Sequence, residues 1–213
     1  MKYYSLGGVE MVTNVLASRF LDNGCRVSIV SFIEPSNEIL CRKDSRIIYY
    51  LLSGFNTSKK NIDQLRNILI EEKIDIVINQ WGLPYVPIYV LKKASKGLSL
   101  KIFSVHHNSP KTNGRLKDIE IAMSETNNKF CALILCMKKV LTYYVTSYSM
   151  WYVYQKSDKY ILLSDSYIRE FLSFTRVKKA TKLVVITNPI TIPYIEEYEK
   201  ILSYKRKEII YVG

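Results

Sequence analysis

The chain has 213 residues, of which 48% are hydrophobic and 23% are charged, which excludes an intrinsically disordered chain and a fibrous repeat. This length suits one large domain, or one domain followed by the start of another. The net charge of +12, from 31 basic and 19 acidic side chains, favours an anionic partner such as a nucleotide diphosphate, an anionic lipid headgroup or a nucleic acid.

A glycine pair lies near the start of the chain, at the start of a predicted helix. In "YYSLGGVEMV" (3–12), Gly7 and Gly8 precede apolar residues at helical spacing, and the helix is predicted to end at "DNG", where Gly24 suits the left-handed C′ position. The free backbone N–H groups after the glycines would point at an anion, helped by the helix dipole; a plain turn is the alternative. Glu10 in the first turn repels phosphate, so it better suits a sugar hydroxyl or solvent.

Strands and helices then alternate along the chain. The predicted strands are residues 25–33, 46–52, 74–79, 99–105, 159–164, 182–189 and 207–213. The predicted helices after the first are residues 59–73, 84–96 and 165–174, with helices between 117 and 157 that break near "ETNN" (125–128). Because the strands are almost continuously apolar, the pattern predicts an α/β fold with a doubly wound, mainly parallel, Rossmann-like sheet.

The long helical region allows two interpretations. Its purest apolar run, "FCALILCM" (130–137), is shorter than the roughly 18 to 20 residues of a transmembrane helix, so no span is predicted. The aromatic segment 143–156, with basic clusters at 176–182 and 204–207, suits a peripheral contact with an anionic membrane. The alternative is that these aromatics pack in the core. They share one helical face, formed by Leu141, Tyr144, Tyr148, Trp151 and Gln155.

Cysteine spacing and terminal sequence give the remaining class predictions. The cysteines form no C-x-x-C pair and have no histidines at zinc-ligand spacing, so buried free thiols are predicted and a metal site is not. The N-terminus has no secretory signal pattern, which favours a cytoplasmic location. Nucleic-acid binding is not predicted, because no recognition motif accompanies the positive charge.

The candidate ligand-binding residues follow the predicted strands. Ligands of doubly wound sheets bind outside the carboxyl ends of the strands. The segments at those positions are Glu34, 79–82, 106–110, 164–166 and 187–189. The two histidines of the chain are adjacent there, and because neighbouring residues of an extended segment point in opposite directions, only one of them is predicted to face the cleft.

The succession of segments resembles glycosyltransferase family 4, the retaining group 1 enzymes of the GT-B fold. The segments that carry the resemblance are "LGGVEMVTNVLASRFLDNGCRVSIVS", "IDIVINQ", "VHHNSP", "SDKYILLSDSYIREF", "LVVITNPI" and "EIIYVG". It implies that residues 1–190 form the N-terminal, acceptor-side domain without its first strand. Residues 191–213 would then be a linker and the first strand of a donor-binding domain that this chain does not contain.

The resemblance also implies an activity and a set of site residues. A sugar would pass with retention from a nucleotide-diphosphate sugar to a glycan or lipid-linked acceptor, in surface polysaccharide or glycolipid assembly. Gly7 and Gly8 would lie near the donor phosphates, and His107 would be the catalytic residue that faces the acceptor or the transferred sugar. Further donor or acceptor contacts are expected from Glu10, Asn79, Gln80, His106, Asn108 and Ser164. No metal and no cofactor besides the sugar donor is expected.

Two other functions stay open at this stage. The chain would be a non-catalytic Rossmann-like module that binds an anion, or a dinucleotide-dependent oxidoreductase in which Glu34 holds a ribose. The absence of a G-x-G-x-x-G pattern disfavours the dinucleotide. As a transferase fragment, the chain is expected to be inactive by itself.

Overall fold

The computed structural model describes residues 8–34, 44–111 and 114–189. The helices in these ranges are α1 (Gly8–Asp22), α2 (Lys59–Glu71), α3 (Tyr85–Ala94), α4 (Gly114–Glu125), α5 (Lys129–Lys156) and α6 (Ser166–Thr175). The strands are β1 (Ser28–Ser31), β2 (Ile48–Leu51), β3 (Ile76–Asn79), β4 (Lys101–His106), β5 (Lys159–Leu162) and β6 (Leu183–Val185). Each predicted element up to residue 189 is present, with strands shorter than predicted.

Local sequence signals account for several helix ends. Gly24, just after α1, has φ +80°, the left-handed conformation predicted for it. The Ser58 side chain caps α2 by accepting a hydrogen bond from the Asn61 N–H. The predicted break before α5 is confirmed, because the Asn128 side chain accepts hydrogen bonds from the N–H groups of Phe130 and Cys131.

The strands form two parallel sheets. One contains β1 and β2, and the other has the order β3-β4-β5-β6. In the larger sheet Asn79 is opposite Ser104, and His106 is opposite Leu162. Parallel strands joined through helices confirm the predicted α/β class, with a Rossmann-like arrangement.

The domain boundaries stay predictions. In a doubly wound sheet the strand that precedes the first helix lies at the centre. Within the described ranges, β1 pairs only with β2, and β3 pairs only with β4, so each keeps one edge without a described partner. The expected lack of an opening strand, and the expected linker and last strand, concern residues 1–7 and 191–213, which lie outside the described ranges.

The main core lies between the larger sheet and helices α2, α3, α5 and α6. Tyr160 on β5 and Phe171 on α6 are fully buried, with ring centroids 4.9 Å apart. Met150, Val153 and Tyr154 bring the C-terminal half of α5 into the same cluster. This packing fixes the position of β5, and therefore the position of the loop at its carboxyl end.

The orientation of α5 differs from the core alternative. Leu141, Tyr144 and Tyr148 are 66%, 53% and 63% exposed, and Trp151 and Gln155 are exposed as well. The face that packs on the domain instead carries Thr146, Ser149, Met150, Val153 and Tyr154. Helical spacing identifies residues that share a face, but it does not say which face meets the protein. The prediction that this aromatic face lies in the core is therefore wrong.

Two related predictions also change. By length and composition, α5 is the one helix among the described residues that could cross a membrane. Only 11% of its most apolar 18-residue stretch is buried, unlike the core helix of a soluble protein. The sequence prediction missed it because it considered only the uninterrupted apolar run. Cys25, Cys131 and Cys136 are free and exposed rather than buried as predicted. The last two lie on α5. Cys41 lies outside the described ranges.

Candidate functional site

His107 lies at the carboxyl end of the larger sheet, between the loops that follow β3 and β6. Its Nε2 is 2.9 Å from Gln80 Oε1, and its ring also forms a hydrogen bond with the Asn188 side chain. Burial lowers the pKa of His107 below its usual value, and the Asn188 hydrogen bond opposes that shift. A half-buried imidazole with a lowered pKa is neutral at pH 7, so it offers one N–H donor and one acceptor to this rim.

His106 points the other way, into the domain. Its side chain is 5% exposed, and its ring lies stacked 6.5 Å from that of Tyr160. Burial, and secondarily the neighbouring His107, lower the pKa of His106 to about 4, against a hydrogen bond with the Ser109 backbone. Its Nε2 is buried with no hydrogen-bond partner among the described residues. The two side chains thus point in opposite directions, as predicted for neighbours on an extended segment, and His107 is the more exposed of them; that it faces a ligand stays a prediction.

A chain of buried hydrogen bonds joins the ends of β3 and α5 to β4. Asn79 Nδ2 donates to Ser104 Oγ at 3.1 Å, and Ser104 Oγ is 2.7 Å from Ser157 Oγ. Asn79 also closes the turn after β3, because its Oδ1 accepts from the Trp81 N–H. Both the Nδ2 and the Oδ1 of Asn79 therefore form hydrogen bonds within the protein. It shapes the loop that carries Gln80, which differs from the cleft-lining role expected for it.

Gly82 allows the same loop to lie against the end of β4. Its N–H donates to the Val105 carbonyl oxygen at 2.8 Å, and its own carbonyl oxygen accepts from the Tyr160 hydroxyl at 2.8 Å. A Cβ on Gly82 would lie 2.7 Å from the Val105 oxygen. Only glycine fits this contact without a backbone shift, and the contact holds Gln80 beside His107.

Replacing Gly82 by alanine should lower the free energy of unfolding by about 1 to 3 kcal/mol, because the backbone must move to relieve the overlap. Urea denaturation followed by circular dichroism measures this loss. Gly114→Ala is the matched control, since a Cβ there meets nothing within 4 Å and the residue lies in α4. Equal stabilities for the two variants would contradict the steric role of Gly82.

The loop after β4 is attached to α6. Ser109 Oγ donates to a carboxylate oxygen of Glu170, which ties the segment that carries His107 to that helix. Asn108, which lies between His107 and Ser109 in the chain, is exposed. Ser164 accepts from the Ser166 N–H and contacts its hydroxyl at 2.9 Å, so its side chain helps to begin α6.

The glycine turn belongs to the other part of the predicted site. Gly8 is the exposed first residue of α1, and Glu10 is half-buried in the first turn. No hydrogen bond or ion pair joins them to His107 within the described ranges, and Gly7 lies outside them. The structure therefore brings together Gln80, His107 and the following loops, while the role of the glycine turn stays a prediction.

Of the residues that build the rim, Gly82, Ser109 and Asn188 lie in predicted post-strand segments but were given no role of their own, and Glu170 was not predicted at all. Asn188 was within a post-strand loop, so its position was the available signal. Gly82 lies within another such loop, but its contact with Val105 spans 23 residues and leaves no local pattern. The Ser109–Glu170 contact likewise joins two segments 61 residues apart. Contacts of this kind depend on how strands and helices meet.

The geometry is that of a binding rim at the carboxyl edge of a parallel sheet. It offers a neutral imidazole, primary amides and serine hydroxyls, which can exchange hydrogen bonds with the hydroxyl groups of a sugar or with phosphate oxygens.

No curated protein matches the chain. The family model for Glycosyltransferase Family 4 matches residues 6–192, which covers the segments that follow β3, β4, β5 and β6. The chain belongs to glycosyltransferase family 4.

Proposed function

We propose that this chain is the acceptor-side domain of a retaining glycosyltransferase. It would act with a donor-binding domain to move a hexosyl group from a nucleotide-diphosphate sugar to a glycan or lipid-linked acceptor. The observation that supports this most directly is the His107 ring, held by Gln80 and Asn188 at the carboxyl edge of the sheet in a family 4 domain. The proposed setting is surface polysaccharide or glycolipid assembly on the cytoplasmic side.

In the proposed reaction, an acceptor hydroxyl attacks the anomeric carbon from the face that the diphosphate leaves. The new bond joins the acceptor oxygen to that carbon, the bond to the phosphate oxygen breaks with its electron pair, and the acceptor proton passes to the leaving phosphate. His107 would hold a hydroxyl of the transferred sugar or of the acceptor. Gly7 and Gly8 would approach the donor phosphates, with Glu10 beside a sugar hydroxyl.

A transfer assay of the 213-residue chain by itself should detect no product, because most stabilisation of the departing diphosphate would come from the donor domain. The probes are UDP- and GDP-linked hexoses labelled in the sugar, with transfer to membrane lipid extract or glycan as the readout. The same chain joined to a following donor domain should transfer sugar. Full transfer by the chain alone would contradict the proposed need for a donor-binding domain. No transfer by the joined protein would contradict the proposed glycosyltransferase function.

The oxidoreductase and the non-catalytic module predict other results. Glu34 is exposed after β1, as a ribose-binding carboxylate would be. Calorimetry with NAD should nevertheless give no binding at millimolar concentration, because the loop before α1 is not a dinucleotide fingerprint. Tight NAD binding would favour the oxidoreductase. Binding of inorganic diphosphate, without transfer by the joined protein, would favour the anion-binding module.

A further inference from the structure

The exposed side of α5 carries a continuous apolar stripe. We call it the α5 stripe and define it by ten exposed large hydrophobic residues: Phe130, Leu133, Ile134, Met137, Val140, Leu141, Tyr144, Val145, Tyr148 and Trp151. Their exposed fractions run from 36% to 70%. If each exposes about half of an area of roughly 200 Å², the stripe covers about 1,000 Å². The largest apolar patch of a typical soluble monomer is only about 300–600 Å², so this surface suits an apolar partner.

The packing of α5 shows how such a partner would meet it. Met150, Val153 and Tyr154 are buried in the core on the opposite side of the helix, and α5 also packs against α4, with Lys139 paired to Glu120. A helix held in this way cannot cross a bilayer without removing its C-terminal half from the core. It can lie along a surface, with the stripe facing outward over six helical turns.

The charges on α5 itself favour an anionic partner. Helix α5 has four lysines and no acidic residue. At about 100° per residue, Lys138 and Lys156 fall on one flank of the stripe and Lys129 on the other. The remaining lysine, Lys139, lies on the opposite side of the helix. Among the described residues it is the only lysine of α5 in an ion pair, with Glu120 at 2.9 Å. Arg176 adds a further cation at the edge, 5.7 Å from the centre of the Tyr144 ring.

We propose that the α5 stripe inserts into the interfacial region of an anionic lipid bilayer and holds this domain on the membrane as a peripheral protein. The apolar residues enter the boundary between headgroups and acyl chains, Tyr144, Tyr148 and Trp151 lie at the level of the headgroups, and the flanking lysines contact anionic phosphates. A second copy of the chain fits less well, because two such faces would bring lysines together without carboxylates on α5. The proposal does not depend on transferase activity.

Vesicle flotation of the complete chain tests the proposal. At low salt the protein should float with vesicles of phosphatidylcholine containing about 30% phosphatidylglycerol, bind phosphatidylcholine alone much more weakly, and leave the vesicles on an alkaline carbonate wash. Met137→Ser with Leu141→Ser should lower vesicle affinity by at least about tenfold, because two inserted side chains are lost. Both residues are 66% exposed, so the two substitutions should leave the fold intact and the lower affinity would not result from misfolding.

Two matched variants sharpen the result. Ile70→Ser with Tyr85→Ser removes two side chains that are 49% exposed on α2 and α3, and should leave vesicle binding unchanged. Lys138→Ser with Lys156→Ser should lower affinity for the anionic vesicles by roughly tenfold and flatten the salt dependence. No flotation at low salt would overturn the proposal. So would retention after the carbonate wash, which indicates a span, or a dimer in sedimentation that Met137→Ser with Leu141→Ser makes monomeric.

Discussion

His107→Ala should reduce kcat for sugar transfer by about 10²–10³ in the protein that carries both domains, equivalent to roughly 3–4 kcal/mol of transition-state stabilisation. The reason is geometric. Gln80 and Asn188 hold the ring at the carboxyl edge of the sheet, and burial keeps it neutral, so the ring is already in position before substrate arrives. Initial rates at saturating donor separate this effect from a change in KM.

The conservative variant makes the test specific. His107→Gln keeps a hydrogen-bond donor at a similar distance and should recover a substantial part of the lost rate. Thermal unfolding of His107→Ala should stay close to that of the unsubstituted protein, because the ring is only half-buried. A kcat within about threefold of the original value would exclude the proposed role for His107, since a positioned hydrogen bond is worth more than that.

Acidification should destabilise the domain by about 3 kcal/mol through His106 alone. Burial in the core beside Tyr160 lowers the pKa of His106 from 6.5 to about 4. Between these two values the unfolded chain binds a proton that the folded chain does not, so stability is present above pH 6.5 and is lost as the pH falls towards 4. Each unit between the two pKa values contributes about 1.4 kcal/mol.

Urea denaturation at pH 7 and at pH 4.5 measures this loss. His106→Phe keeps a ring beside Tyr160 but does not titrate, so its stability should fall much less over the same range. The difference between the two proteins isolates the histidine from the carboxylates, which titrate in both. Parallel pH profiles would show that His106 is solvated or partnered in the folded protein, contrary to its burial.

The sequence determined the α/β class because local patterns carry it. Continuous apolar runs specify buried parallel strands, and helical periodicity with caps such as Ser58 and Asn128 specifies the helices. The same reasoning located His107, because the carboxyl ends of parallel strands meet at one edge. The family followed from the order of these segments, and the match over residues 6–192 confirms it.

Only the tertiary structure decided which faces and which pairs meet. It turned the aromatic side of α5 outward, against the core alternative, because the other side supplies Met150 and Val153 to the core. It also gave Gly82 its contact with Val105. A helical period is the same whichever side is buried, and a contact between distant segments depends on strand register. Those choices follow from the summed packing of the whole domain, which no short stretch of sequence contains.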